Sequence, residues 1–275
     1  MLKQINHMQK VAVYLGIVVF LEFMLLMLPI KLNTFFFMFV PFVSVLVTML
    51  LTGEAFTKKG WSQLGFHRFS TKFFAIGLLV PMLPILLGFS FVWLSGLGTF
   101  GVAPEYEGKA IFLAVQFVVS FLFSSLTVTL GEEIGWRGYM EAKLSRLGLA
   151  PSLLLNGFIW GLFHLPVMIF TDIYHNGVNL FVYIPMFMVT VTLAGAFMTY
   201  LKTATGSIWP AIAAHTMHNL VWNYGDLLTQ NPKPIVTYLT GDAGILLILF
   251  YLVVFVIIVK KHNNAIHSAG KLIAK

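Results

Sequence analysis

The sequence predicts an all-α protein, a polytopic bundle of about eight transmembrane helices with both termini in the cytoplasm. Three observations support this prediction. The 275 residues are 59% hydrophobic and only 10% charged, with a mean hydropathy of +0.89, outside the range of soluble globular domains. The apolar residues are grouped in long runs, and a run of about 20 residues is what a helix needs to cross a bilayer. The basic residues lie mainly between these runs.

The apolar runs give the predicted spans in order. The first run follows a basic start, as a signal peptide would, but it is too long and no small-residue cleavage site follows, so we expect it to be retained. The seventh run is the least apolar. Because no repeat or long linker divides the chain, we expect one membrane-embedded domain, residues 1–275, with a motif-bearing core at about 110–228. The predicted spans are 11–30, 33–52, 73–98, 110–133, 152–171, 179–201, 207–228 and 242–259.

The positions of the charges predict the orientation. Lysine and arginine gather on the cytoplasmic side of membrane proteins. Threading eight spans from a cytoplasmic N-terminus leaves all the basic residues inside, from Lys3 to Lys275, except Lys31, Lys109 and Lys233. The outer loops then carry four acidic residues, Glu105, Glu107, Asp172 and Asp242.

The same distribution excludes some functions. The net charge of +7 does not indicate a nucleic-acid partner, because the basic residues are spread over short inner loops where they set membrane orientation. The absence of cysteine excludes disulfides, thiolate nucleophiles and cysteine-based zinc sites. Two inner segments, 58–72 and 136–148, carry aromatic residues beside basic ones, which is typical of helices in the headgroup layer. For the first, an ordinary connecting loop is an equal alternative.

A few polar residues fall where lipid is expected. Ionisable groups in hydrocarbon cost several kcal/mol, so they usually face the protein interior and mark function. Residues four apart share a helix face, and Asn156, Trp160 and His164 form one such stripe, as do His215, Asn219 and Asn223. Counted along their spans, these groups converge in the cytoplasmic half of the bilayer. The ionisable residues are Glu22, Glu132, Glu133, Arg137, His164, His215 and His218.

The spacing to Arg137 predicts different roles for the two adjacent glutamates. Arg137 is four residues after Glu133, which favours a helical ion pair, and five after Glu132, which points elsewhere. We therefore expect Arg137 to pair with Glu133 and to leave Glu132 for chemistry. A simple interfacial helix cap is the alternative, and the two histidine stripes count against it.

A carboxylate, two imidazoles and an amide in a secluded cavity suit hydrolysis by activated water. Glu132 would act as general base while His164 orients the water. His215 and Asn219, one turn apart, would donate hydrogen bonds to the oxyanion formed on a peptide carbonyl. Supporting roles fall to Glu133, Arg137, Asn156, Trp160 and Asn223, and no role is assigned to Glu22 or His218.

These residues resemble the motifs of the CAAX protease and bacteriocin-processing enzyme family, intramembrane proteases related to the Ras-converting CAAX endopeptidase. The family pattern is E-E-x3-R, then an aromatic residue-x3-H, then H-x3-N/D. Trp160 stands where the family more often has Phe. The resemblance implies an endopeptidase acting on a peptide or protein substrate, lipid-modified or not, reached from the cytoplasmic half. The matching residues are Glu132, Glu133, Arg137, Trp160, His164, His215 and Asn219.

Two questions stay open at this point. Family members have also been described as zinc metalloproteases, and Glu132, His164 and His215 would supply three ligands. The H-E-x-x-H signature is absent, so we expect no required cofactor, with zinc as the alternative. A membrane transporter, or a non-catalytic immunity or scaffold protein, would also use a buried polar cluster. The polar residues are concentrated in the second half of the chain, which counts against the paired repeats of transporters.

Overall fold

The computed structural model describes residues 2, 4–28, 34–171 and 178–273, and these residues are predominantly helical. The all-α, multi-pass class predicted from the sequence is thereby confirmed. The helices are α1 (His7–Met27), α2 (Thr34–Thr52), α3 (Lys58–Ser62), α4 (Thr71–Leu94), α5 (Ala110–Leu126), α6 (Val128–Glu133), α7 (Glu141–Leu144), α8 (Leu149–Phe170), α9 (Leu180–Thr205), α10 (Trp209–Leu227) and α11 (Ile245–Ile273).

Shorter elements connect these helices. A π-helical segment, Ile134–Met140, joins α6 to α7, so the chain runs without a loop from the predicted fourth span into the basic region after it. Strands β1 (Thr99–Phe100) and β2 (Thr229–Gln230) pair antiparallel. Single 3₁₀ turns occupy Glu54–Phe56, Pro104–Tyr106, Ser145–Leu147, Pro234–Tyr238 and Gly241–Ala243.

Six helical stretches in the described residues are long and apolar enough to cross a membrane. Helix α2 is apolar but shorter over Phe36–Thr52, and α10 is not among the six because it carries the polar stripe. The span count of eight and the orientation of the termini therefore stay predictions. Of the charges used for the orientation, Lys3, Lys31, Asp172 and Lys275 lie outside the described residues. The six stretches are α1, α4, Ala110–Leu147, α8, α9 and Ile245–Ser268 of α11.

Close packing of α8 against α9 fixes the position of α8, the helix that carries His164. A Cβ atom built on Gly157 would stand 2.2 Å from the carbonyl oxygen of Thr192, so only glycine fits at this crossing. Gly195 faces it from α9, where an added Cβ would stand 2.7 Å from the Gly157 Cα atom. The two backbones therefore touch, and the next turn of α8 is held against the bundle interior.

The segment 136–148 is not a headgroup-layer helix, and that expectation is wrong. Trp136, Arg137 and Tyr139 are fully buried, with Trp136 and Tyr139 packed on the ring of Tyr14 in α1. These residues and Lys143 face protein instead of lipid headgroups, because α1 packs against them, and of the basic residues in the segment only Arg146 is exposed. The segment 58–72 contains the short α3 and irregular chain, with Trp61 and Phe66 partly exposed.

Candidate active site

A buried cavity of about 80 Å³ lies inside the bundle. Glu132 of α6, His164 of α8, and His215 and Asn219 of α10 all line it, so three separate helices bring the four predicted catalytic residues to one space. A volume of this size holds several water molecules. Its remaining walls are formed by Phe37, Met38, Trp160, Phe187, Thr190, Val191, Ala194, Met198, His218 and Asp242.

Two tryptophans hold the Glu132 carboxylate. Its Oε2 atom accepts a hydrogen bond from Trp160 Nε1 at 2.7 Å and a longer one from Trp136 Nε1 at 3.3 Å. The side chain is 1% exposed. Both donors bind the same oxygen, and among the described residues no hydrogen bond is made to Oε1. The carboxylate is therefore fixed through one oxygen while the other is left for a molecule in the cavity.

Glu133 forms the predicted ion pair and a second contact that spacing did not indicate. Its Oε1 atom accepts hydrogen bonds from Arg137 Nη1 at 2.7 Å and from His215 Nδ1 at 2.9 Å. All three side chains are buried, and the guanidinium carbon of Arg137 lies 4.4 Å from the Trp160 ring centroid. Buried carboxylates need such partners, because an unpaired charge in the interior costs several kcal/mol. Glu133 thus connects the E-E-x3-R motif to the histidine of α10.

His164 is oriented from its own helix. Its Nδ1 atom lies 2.8 Å from the carbonyl oxygen of Trp160, and because a carbonyl only accepts, Nδ1 carries the proton. In the neutral ring the lone pair is therefore on Nε2. The rings of Trp160, Phe37 and Phe187 meet the imidazole edge-on with centroids 5.6, 6.0 and 5.6 Å away, which fixes its plane.

The three predicted amides, the catalytic Asn219 and the supporting Asn156 and Asn223, differ in burial. Asn156 is buried, and its Nδ2 donates to the carbonyl oxygen of Trp136 at 2.8 Å, which ties α8 to the π-helical segment. Asn219 is half-buried and lines the cavity. Asn223 is exposed, so the expectation that it is a buried supporting amide is wrong. Eight residues after His215, a straight helix has turned about 80° away from the starting face.

Sequence reasoning missed a second acid and imidazole pair in the cavity wall. His218 Nε2 lies 2.9 Å from Asp242 Oδ1, and His218 Nδ1 lies 3.4 Å from the hydroxyl of Tyr251. Asp242 was expected in an outer loop, yet the 3₁₀ turn that contains it folds back over α10. A loop residue 24 positions from its partner gives no local signal. Trp136, by contrast, stands four residues after Glu132, and that spacing indicates a shared face.

The two cavity histidines lie at different distances along their helices. His215 is six residues into α10, about 9 Å from its start, whereas His164 is 15 residues into α8, about 22 Å from its start. Both helices begin at the end that carries the basic residues. Both histidines nevertheless line the same cavity, and both rings lie against Trp160, so the two helices do not begin at the same level. The expected convergence in the cytoplasmic half of the bilayer stays a prediction.

The residues do not fit the zinc alternative as they stand. Across the described parts of the chain, no three His, Cys, Asp or Glu side chains are grouped so that they could hold a metal ion. We therefore derive no catalytic step through a metal.

Comparison with known proteins agrees with the motifs. Residues 114–221 match a family model described as type II CAAX prenyl endopeptidase Rce1-like. No curated protein matches the chain. The matched segment contains all three motifs, from Glu132 to Asn219, and lies within the predicted core of 110–228. The family resemblance is thereby confirmed: over residues 114–221 this membrane protein is similar to the Rce1-like CAAX endopeptidases, a family of protease-type enzymes.

Proposed function

We propose that this protein is an intramembrane endopeptidase that hydrolyses a peptide bond with a water molecule activated by Glu132. The observation that carries the proposal is the shared cavity, to which Glu132, His164, His215 and Asn219 all contribute. These groups supply a base, a water-orienting acceptor and two donors for a developing oxyanion. No nucleophilic side chain is needed for that chemistry.

Water activation is assigned to Glu132 and His164. A water between them donates one hydrogen bond to Glu132 Oε1 and the other to the lone pair on His164 Nε2. As the water oxygen bonds to the carbonyl carbon, its proton moves to Glu132, and the carbonyl electron pair moves to the oxygen. The indole bonds to Glu132 Oε2 keep the carboxylate in position during this step.

His215 and Asn219 are assigned to the oxyanion. A protonated His215 donates through Nε2–H to the oxyanion, while its Nδ1–H donates to Glu133 Oε1 at 2.9 Å. Glu132 is neutral once it has taken the proton, so the negative charges of Glu133 and the oxyanion then balance the positive charges of Arg137 and the protonated His215, which lowers the cost of burying them. When the tetrahedral intermediate collapses, the proton on Glu132 passes to the leaving amine, and the carboxylate is restored.

The substrate is a peptide or protein, lipid-modified or not. The charge distribution predicts that the substrate enters from the cytoplasmic half. Met38 lies on the cavity wall, 14 residues from the basic end of α2, and so reports on access to the cavity. The natural absence of cysteine allows a direct test. A membrane-impermeant maleimide should label Met38→Cys from the cytoplasmic side of oriented vesicles, with the exposed Lys59→Cys as reference. Labelling only from the opposite side would reject cytoplasmic entry.

The proteolytic reaction itself is tested by mapping peptide termini in cells. Cells expressing the wild type are compared by mass spectrometry with cells expressing Glu132→Ala, and with cells expressing Glu141→Ala as a matched control. Glu141 is also a buried glutamate, but it accepts a hydrogen bond from Thr203 and does not line the cavity. We expect a set of termini that disappears only in Glu132→Ala. Identical termini in all three strains, at equal levels of folded protein, would favour the non-catalytic alternative.

A further inference from the structure

A second cavity lies at the basic end of the bundle, away from the active site. It has a volume of about 320 Å³, is open to the surface, and is bounded by the start of α1, the connection from α2 to α3, α3 itself and α7. Its lining includes Lys10, Lys59, Lys143, Glu54 and Gln63. None of its lining residues also lines the active-site cavity. We call this space the basic pocket.

The basic pocket has more positive charge than its one carboxylate can balance. Glu54 Oε1 pairs with Lys143 Nζ at 2.6 Å and with Lys10 Nζ at 3.1 Å. Lys143 is buried and also donates to Gln63 Oε1 at 2.7 Å, so it forms a fixed floor. Lys59 is exposed and forms no ion pair with any residue that the structure describes. Three lysines against one glutamate leave a surplus of two positive charges.

The surroundings of the basic pocket place it at headgroup depth. Phe56, in the α2 to α3 connection, and Trp61, in α3, are 72% and 47% exposed. The indole of Trp61 donates to the carbonyl oxygen of Ala55 at 2.8 Å, which fixes its outward position. Exposed aromatic residues beside lysines are typical of the membrane interface. An open cationic pocket at this level faces the layer in which lipid phosphates are concentrated.

We propose that the basic pocket binds a phosphate-bearing anion, with the headgroup of an anionic phospholipid as its source. Lys59 and Lys10 contact the phosphate at the mouth, and the pair of Glu54 and Lys143 holds the floor. Basic pockets between membrane helices on the cytoplasmic side bind anionic headgroups by this chemistry.

The floor of the basic pocket belongs to the same continuous segment as the active-site glutamates. Tyr139 donates to Glu54 Oε2 at 2.9 Å, and both Tyr139 and Lys143 follow Glu133 within ten residues. A headgroup bound at Lys10 and Lys59 therefore steadies a segment that is buried across the bundle. Occupancy should be visible as thermal stability, whether or not the protein is a protease.

The test compares nanodiscs of phosphatidylcholine with and without phosphatidylglycerol. Thermal unfolding measures stability, and native mass spectrometry counts retained lipids. The variant is Lys59→Gln, and the matched control is Lys58→Gln, since Lys58 is an adjacent exposed lysine that does not line the pocket. We expect phosphatidylglycerol to stabilise the wild type and Lys58→Gln alike. Lys59→Gln should bind the anionic lipid about tenfold more weakly, the effect of losing one direct hydrogen bond between charged groups.

A third condition separates the two sources of phosphate. Inorganic phosphate is added to phosphatidylcholine nanodiscs at constant ionic strength. If inorganic phosphate stabilises the wild type but not Lys59→Gln, the phosphate site is established and its ligand is a soluble anion. If inorganic phosphate has no effect and phosphatidylglycerol stabilises the protein through Lys59, the ligand is the lipid headgroup. Equal responses of Lys59→Gln and Lys58→Gln would overturn the proposal, because diffuse surface charge would then account for binding. No stabilisation of the wild type by either anion would also overturn it.

Discussion

Replacing Arg137 by Met should destabilise the folded protein by about 3 kcal/mol. Removing one partner of a buried ion pair costs about 3–5 kcal/mol, because the other charge is left uncompensated. Glu133 and Arg137 are both fully buried with 2.7 Å between the paired atoms, so the full penalty applies. His215, 2.9 Å from the same oxygen, still offers the carboxylate a hydrogen bond, which places the cost at the lower end of that range.

The measurement is the free energy of unfolding of purified protein in one detergent, with Arg146→Met as the control. Arg146 is exposed, and its replacement should change stability by no more than about 0.5 kcal/mol. The double variant Glu133→Gln with Arg137→Met should recover part of the loss, because the buried carboxylate that Arg137 compensates is then absent as well. Equal stability of Arg137→Met and Arg146→Met would refute the reasoning that Glu133 depends on this cation.

Three further predictions follow from the contacts. Asn219→Ala should lower kcat by about 10²–10³ with little change in the melting temperature, since it removes an oxyanion donor from a half-buried position; an unchanged kcat in a peptide-cleavage assay would remove Asn219 from the mechanism. Trp160→Phe should lower kcat/KM, because Glu132 loses its 2.7 Å hydrogen bond but keeps an aromatic wall, and unaltered kinetics would show that Trp136 suffices. Burial alone raises the pKa of Glu54, but hydrogen bonds from Lys143, Tyr139 and Lys10 outweigh burial and hold the pKa below its usual 4.5. The ionised carboxylate therefore stabilises the fold above pH 4.5, and this stabilisation is lost as the pH falls through the lowered pKa. Glu54→Gln should therefore flatten the decline of the melting temperature below about pH 4.5, and parallel melting profiles for both proteins would contradict this.

Local spacing was enough to predict much of the site. The interval of four between Glu133 and Arg137 gave the ion pair that the structure contains. The high cost of polar groups in lipid predicted that the histidines of α8 and α10 would turn inward, and both line one cavity with Glu132. These inferences depend only on helix geometry and on the apolar lipid surroundings, and both can be inferred from a single sequence.

Contacts between distant segments could not be read in this way. Trp136 and Tyr139 have the pattern of interfacial aromatic residues. They are buried because α1 packs against them, with the ring of Tyr14 in contact with both. Asp242 reaches His218 from a 3₁₀ turn whose path no periodicity predicts. The contact of His215 with Glu133 likewise depends on how α10 packs beside α6, which spacing within either helix does not determine.

The most direct test of the account is the cleavage rate of Glu132→Gln in nanodiscs, measured on the substrate identified from the cellular termini. The exchange keeps the size of the side chain and an oxygen for the Trp160 indole, but it removes the proton acceptor. Loss of a general base lowers rates by about 10²–10⁴, and we expect that loss while Glu141→Gln cleaves at the wild-type rate. A folded Glu132→Gln that cleaves as fast as the wild type would contradict water activation by Glu132.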